Sequence, residues 1–252
     1  MKKSFYDEYY QIESTHWWFI GRRRILATIL DEYVGRNDQQ RILDLGCGTG
    51  KMLQFLQDWG QPIGADVDRS AVVFCRQRGC QAIVHCAAEA LPFVDGSMNA
   101  ITAFDLLEHV VDDGRVLGEA HRVCRTGGKF VASVPAFSFL WGRQDEISNH
   151  QRRYTASQLK GRIVNMGLTL LKISYLNTLL FPVIFAIRIT RRIRDTVLPT
   201  HQRACVSDFS MTSPGRLNDL LARVFSLEAL LLDKMNLPLG VSILVVAQKS
   251  LR

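Results

Sequence analysis

The stretch Arg41-Ile-Leu-Asp-Leu-Gly-Cys-Gly-Thr-Gly-Lys51 decides how this chain folds. Ile42, Leu43 and Leu45 read as a short buried strand, which Gly46, Gly48 and Gly50 then break. From Lys51 the apolar residues Met52, Leu53, Phe55 and Leu56 recur at helical spacing. Strand, glycine turn and helix are the means by which an α/β sheet presents backbone N–H groups and a helix N-terminus to a ligand. A Cβ in that turn would block both its backbone path and the approach of the ligand.

Spacing excludes two common glycine motifs. A dinucleotide fingerprint, G-x-G-x-x-G, needs a third glycine at position 51, where Lys51 stands. A phosphate-binding P-loop needs glycine at 45 and Ser or Thr at 52, where Leu45 and Met52 stand. What remains, Asp44-Leu-Gly-Cys-Gly-Thr-Gly50, resembles motif I of the class I S-adenosylmethionine-dependent methyltransferases.

Composition bounds the rest. A chain of 252 residues holds one domain with an elaboration, and its 47% hydrophobic and 22% charged content is that of a globular protein. The six cysteines form no C-x-x-C pair, which argues against a zinc site and a disulfide framework, so no metal is expected. With neither a signal peptide nor an apolar run long enough to span a bilayer, the expected location is the cytoplasm. The net charge of +7 suits nucleic acid, an anionic membrane surface or an acidic substrate. Its basic clusters are Arg22–Arg24, Arg152–Arg153 and Arg188, Arg191, Arg192 and Arg194, and solvated helix faces account for most such runs.

Ahead of the glycine turn, Tyr6, Tyr9, Tyr10, His16, Trp17, Trp18 and Phe19 precede three arginines and a helical run to about Val34. Residues 1–40 are expected to form an aromatic, basic lid that excludes water from the ligand cleft, with its arginines facing an anion. After the first helix, Pro62 to Asp66 reads as the second strand. Asp66 lies twenty residues beyond Gly46, the interval at which a Rossmann-like unit sets a carboxylate on ribose hydroxyls. A helix over Arg69–Arg78 and a strand over Ala82–Val84 follow.

Ala87 to His109 resembles the middle of the same family, in which a loop ending Leu91-Pro-Phe covers the adenine and the next strand runs into Leu107-Glu-His. The aspartate that the family usually places five residues before the proline is Ala87 here, so Glu89 or backbone groups read the adenine instead. Glu119 to Pro135 matches the family's next helix, a Gly127-Gly128 turn and the fifth strand. The resemblance implies an α/β, Rossmann-like seven-stranded sheet, parallel with an antiparallel last strand and helices on both faces. It also implies S-adenosyl-L-methionine as cofactor, held by Asp44, Gly46, Cys47, Gly48, Gly50, Asp66, Val67, Ala88, Glu89, Asp105 and Leu106. The segments His16-Trp-Trp-Phe and His150-x-Arg-Arg-Tyr-Thr look like a bacterial subset of the family.

Such a cofactor brings its own activated methyl, so catalysis is mostly placement, with a base added where the acceptor is an alcohol or phenol. Ligands bind beyond the carboxyl ends of the strands, which directs attention to the loop after strand five. There Asp145, His150, Arg153 and Tyr154 are the candidate catalytic residues. An unperturbed imidazole titrates near neutrality, which suits His150 as a base. Its structural alternative is to cap the helix that begins at Thr155.

Leu168 to Ser174 reads as strand six and Gly240 to Gln248 as strand seven. The expected division is therefore a lid at 1–40, a core at 41–174, an inserted helical cap at 175–238 and the last strand at 239–252. In the cap, Tyr175 to Ile189 reads as a helix apolar on all sides and kinked at Pro182, too short to span a bilayer. A second helix opens at Ser213-Pro214. Four arginines beside an apolar face suit peripheral contact with the inner membrane face and a lipid- or polyprenyl-linked acceptor; a small-molecule acceptor and a homodimer interface are the other uses of this cap. RNA or protein methylation and non-catalytic cofactor binding are the alternatives. Strand four, however, ends Phe104-Asp-Leu-Leu, without the Asn/Asp-Pro-Pro-aromatic box used on planar nitrogens. Replacing Asp66 with Ala should weaken binding of S-adenosylhomocysteine by about ten- to a hundredfold in a calorimetric titration. Unchanged affinity would remove Asp66 from the site.

Overall fold

The structure, a computed structural model, describes residues 3–197 and 215–250. Its sheet comprises β1 (Arg41–Leu45), β2 (Gln61–Asp66), β3 (Ile83–His85), β4 (Met98–Phe104), β5 (Cys124–Pro135), β6 (Leu168–Leu176) and β7 (Ser242–Lys249). The strands lie in the order β3-β2-β1-β4-β5-β7-β6. Those from β3 to β5 pair in parallel, and β7 runs antiparallel to both β5 and β6. The expected topology is thus the observed one. Strand order reverses at β1 and β4, and that reversal opens a crevice beyond their carboxyl ends.

Both faces of the sheet are covered, so its central strands are largely apolar, with buried Asp44, Thr102 and Ser133 among them. The helices in chain order are α1 (Lys3–Ile12), α2 (Trp17–Tyr33), α3 (Lys51–Leu56), α4 (Arg69–Gln77), α5 (Asp113–Val123), α6 (Arg143–Ile147), α7 (Ala156–Asn165), α8 (Phe181–Val197), α9 (Arg216–Ser226) and α10 (Glu228–Leu232). Alternation along β7 shows how they divide. Ile243, Val245 and Ala247 join the core formed with Val116 and Leu117 of α5 and Leu159 and Ile163 of α7. Leu244 and Val246 join the opposite core, with Ile25, Leu26, Ile29 and Leu30 of α2 and Phe225 of α9.

The second half of α2 is therefore a core layer rather than part of a lid. Gly21 permits its approach to α9, since a Cβ there would lie 2.5 Å from Phe225 Cδ1. Trp17 lies edge-on to Phe225. His16 caps the helix through its ring, which accepts from Trp18 N at 3.3 Å.

Several boundaries differ from the sequence reading, most of them by a residue or two. Strand β5 begins at Cys124, ahead of the glycine pair, because Cys124 still pairs with Met98 across a bulge. Strand β6 continues to Leu176, which pairs with Ser242, so the apolar stripe does not become helical until Phe181. Pro182 consequently falls in the first turn of α8, where its missing N–H breaks no helical bond, and the expected mid-helix kink has no cause. Ser213 and Pro214 lie outside the described residues. Among the described residues, no helix is long and apolar enough to cross a membrane.

One buried carboxylate ties this segment to the sheet. Glu228, fully buried at the start of α10, accepts from Asn177 N at 2.7 Å and Leu179 N at 2.8 Å. Burial raises its carboxyl from the ordinary value, against these backbone bonds and one from Thr178. Glu228→Ala leaves those donors unpartnered and should destabilise the protein by about 3–5 kcal/mol in chemical denaturation. A loss below about 1 kcal/mol would mean that water replaces the carboxylate.

Candidate active site

The glycine turn is shaped by hydrogen bonds from its own N–H groups. Gly46 and Cys47 donate to the Ala65 carbonyl at 2.8 and 3.3 Å, and Gly48 donates to Asp66 Oδ2 at 2.9 Å. The other Asp66 oxygen accepts from Asp68 N at 2.9 Å. Gly46, Gly48 and Gly50 have φ of 70°, 55° and 84°, in the left-handed region where glycine is unstrained. Beneath the turn, Asp44 accepts from Thr102 Oγ1 at 2.7 Å, and burial pushes its carboxyl up to about 7.

Helix α1 lies over this turn. Thr49 Oγ1 donates to Glu13, which pairs with Arg78 at 2.6 Å, and the Arg78 guanidinium sits 4.2 Å from the Tyr10 ring centre. Tyr6 stacks on Phe74 of α4 with ring centres 6.0 Å apart. Across the crevice, Asp105 follows β4 at φ 55°. It accepts from Ser133 Oγ at 3.0 Å and forms an ion pair with the buried Arg22. Arg22 in turn lies 4.3 Å from the Trp18 ring centre.

A cavity of about 560 Å³ occupies the crevice, a size usual for small-ligand sites. Gly46, Cys47, Gly48, Asp105, His150 and Arg153 all line it, so part of the sequence-derived cofactor set and part of the catalytic set share one wall. Leu180, Val183, Ile184 and Ile187 add an apolar side. Asp66, Val67, Ala88, Glu89 and Leu106 are not among its lining residues. Asp66 ends β2 and Val67, 69% exposed, follows it, while Leu106 packs on Gly46. Asp44 and Gly50 support the turn from behind: a Cβ at Gly50 would lie 2.9 Å from Cys75 Sγ.

Asp145 is fully buried and holds the loop after β5 together. It accepts from Gly142 N at 2.8 Å and from Arg153 at 2.8 and 3.0 Å, and its Oδ1 lies 2.8 Å from His150 Nδ1. Burial alone would raise its carboxyl, but the hydrogen bond with His150 and the charge of Arg153 hold it well below the carboxylate range. His150 is not the helix cap, because Thr155 and Gln158 form the capping box of α7.

Tyr154 requires a correction. It is only 2% exposed, does not line the cavity, and its hydroxyl lies 2.8 Å from Asp113 Oδ2 and 3.1 Å from the Leu107 carbonyl. It is a packing residue of the core around α5 and α7.

The arginine runs also separate. Arg22 meets Asp105, Arg23 donates to the Glu13 carbonyl at 2.7 Å and Arg24 reaches Ser226 Oγ at 3.3 Å, so they do not face one anion. On α8, Arg188 bonds the Leu140 carbonyl and Arg191 lines the cavity, while Arg192 and Arg194 are exposed. The four do not form one outward basic face.

Three residues in the cavity wall were given no role from sequence. Asn177 is buried at φ 61°, and neither side-chain amide atom has a hydrogen-bond partner among the described residues. Only an asparagine just past a strand could have flagged it. Glu108 and His109 were visible within Leu107-Glu-His but carried no assigned role. Burial raises the Glu108 carboxyl well above its ordinary value and, with the charge of His150, lowers His109 to about 3.

Residues 43–132 match the family model described as a methyltransferase domain. Over 156 residues the chain is 29% identical to a probable S-adenosylmethionine-dependent methyltransferase of Mycolicibacterium smegmatis, covering 60% of this chain and 59% of that protein. Over 129 residues it is 32% identical to the mouse (Mus musculus) tRNA (carboxymethyluridine(34)-5-O)-methyltransferase, covering 50% of this chain and 18% of that one. The chain thus spans less than two thirds of the length of these relatives. Its fold superposes on a chain from the complex of the Haloferax volcanii Trm112 methyltransferase activator, with a TM-score of 0.64 at 15% identity, over 99% of this chain and 96% of that one. Residues 43–132 are therefore a methyltransferase domain, carried on a Rossmann-like seven-stranded sheet.

Proposed function

We propose that this protein transfers the methyl group of S-adenosylmethionine to a hydroxyl oxygen on a small-molecule or lipid-like acceptor with an apolar body. The Asp145–His150 pair carries the choice of oxygen. Nδ1 of His150 is held by Asp145, which leaves Nε2 for the cavity that the glycine turn and Asp105 also line.

The residues present fit the cofactor. The turn at Gly46 to Thr49 offers backbone without side-chain bulk, and the Arg22–Asp105 pair offers one charge of each sign to a zwitterionic amino-acid end. The rings of Tyr9 and Trp18 in the same wall suit a cationic group. When bound, S-adenosylmethionine supplies a methyl on a sulfonium, which departs leaving the carbon–sulfur electron pair on sulfur.

The chain's own part is placement and proton transfer. Leu180, Val183, Ile184 and Ile187 hold the apolar body of the acceptor and exclude water from its reacting end. As the new carbon–oxygen bond forms, His150 Nε2 takes the hydroxyl proton. Asp145, ionised and fixed by Arg153, orients the ring and stabilises the resulting imidazolium. The walls supply little for a large polar acceptor such as a transfer RNA, the substrate in the mouse relative's name.

Incubation of cell extracts with the enzyme and methyl-labelled cofactor, followed by separation into lipid, small-molecule and macromolecular fractions, tests the acceptor class. Label is expected in the first two, and label confined to macromolecules would overturn the reading. His150→Ala should lower turnover by about two to four orders of magnitude while affinity for S-adenosylhomocysteine stays at the wild-type level. Equal turnover would show that the acceptor needs no base.

A further inference from the structure

The end of the cavity assigned above to the acceptor holds a cluster whose chemistry that assignment does not exhaust. Glu108, His109 and His150 each offer a ligand atom, and these atoms lie within 4.8 Å of one another. All three residues line the cavity. The imidazole rings meet edge to face, with centres 4.6 Å apart and planes at 86°.

Each member is prepared for a cation in a different way. Glu108 is 1% exposed, and its Oε2 has no hydrogen-bond partner among the described residues. A buried carboxylate oxygen without a partner is costly in either protonation state, and a bound cation removes that cost. Arg153, whose charge acts on Glu108, makes no hydrogen bond to it and bonds Asp145 and the Ala136 carbonyl instead. His150 has Nδ1 fixed by Asp145, the carboxylate–histidine arrangement that orients a metal-binding ring and raises its basicity. His109 bonds the Ser148 backbone through one ring nitrogen, which leaves the other for a ligand.

We infer that Glu108, His109 and His150 bind a divalent transition-metal ion at the acceptor end of the cavity. Two imidazoles and one carboxylate suit Mn²⁺, Fe²⁺, Co²⁺ or Zn²⁺, whereas Mg²⁺ and Ca²⁺ prefer all-oxygen sites. Ligand atoms around such an ion stand about 3–3.5 Å apart, so the cluster closes by roughly 1–2 Å, within the reach of side-chain rotation. Three protein ligands leave positions open, and the cavity is where they open. An acceptor hydroxyl bound there would lose its proton nearer neutral pH, with His150 serving as ligand instead of base. Cysteine spacing, the sequence signal for zinc, is silent on this set because its ligands come from two separated loops.

The inference rests on the cavity reading above only for its purpose, and its test needs neither cofactor nor acceptor. Chelator-stripped protein is titrated with Co²⁺ and followed by visible d–d absorption, with Mn²⁺ binding read by electron paramagnetic resonance. One equivalent should bind to the full chain. Glu108→Gln, His109→Asn and His150→Asn should each weaken binding by about a hundredfold or more, and Asp145→Asn, which keeps the shape of the side chain but removes the charge that orients His150 and pairs with Arg153, by about ten- to a hundredfold. A wild-type circular dichroism spectrum and thermal melt show that each variant remains folded. Absence of a stoichiometric cobalt signal, or a signal unchanged in Glu108→Gln and His150→Asn, overturns the metal site. The labelled-methyl assay run on the metal-loaded protein reports separately on the proposed activity. A failed transfer with an intact cobalt signal would condemn the acceptor reading and leave this one standing.

Discussion

The reversal of strand order between β1 and β4 is the constraint on which the rest of the molecule depends. Parallel strands require crossovers, and where successive crossovers turn in opposite directions no connection covers the carboxyl ends. Here that gap falls between the turn after Leu45 and the turn after Phe104. One side is lined by backbone because three residues of its turn are glycine; the other ends in Asp105 at positive φ. The segments that close the crevice do so from a distance in sequence: α1 and the start of α2 from the N-terminal side, the loop after β5 and helix α8 from the C-terminal side.

Closure by polar segments requires that buried charge be matched. Asp145 meets this demand with four donors or cations, namely Gly142 N, His150, Arg153 and, at 3.6 Å, Arg188. Arg188 belongs to α8, so one carboxylate links the loop after β5 to the helix that walls the cavity. Glu228 does the same for the other end of that segment, holding the turn before α8 from the first residue of α10. Neither acid acts as a surface charge. Each is an anchor whose removal would leave buried donors without partners.

How far all this was legible depended on whether the signal was local. The glycine turn, the strand periods and the acid at the end of β2 are set by neighbours in sequence, and they fell where the residues indicated. Boundaries governed by pairing across the sheet did not. Leu176 reads as helical from its spacing to Leu180 and Val183, yet Ser242 on β7 extends β6 to it. Tyr154 sits among polar residues that suggest a site, but its hydroxyl meets Asp113 in the core around α5 and α7. The arginine runs look like patches when written in a line and separate once helices turn them. Asn177 and Glu108 gained meaning only when their lack of partners could be seen.

The two ion pairs over the crevice differ in what a ligand would demand of them. Glu13–Arg78 fixes α1 to the turn and α4 and can remain intact, because its bond to Thr49 comes from a side chain rather than from the turn's N–H groups. Arg22–Asp105 lies in the cavity wall itself, under the Trp18 ring. Any zwitterion entering there competes with this pair for both of its charges, and breaking a buried pair without replacing either partner is strongly unfavourable. A ligand with a single charge would leave one of the two unmatched. A molecule carrying an ammonium and a carboxylate together would leave neither charge unmatched, a selectivity that would arise from the pairing of two residues far apart in sequence and from neither one alone.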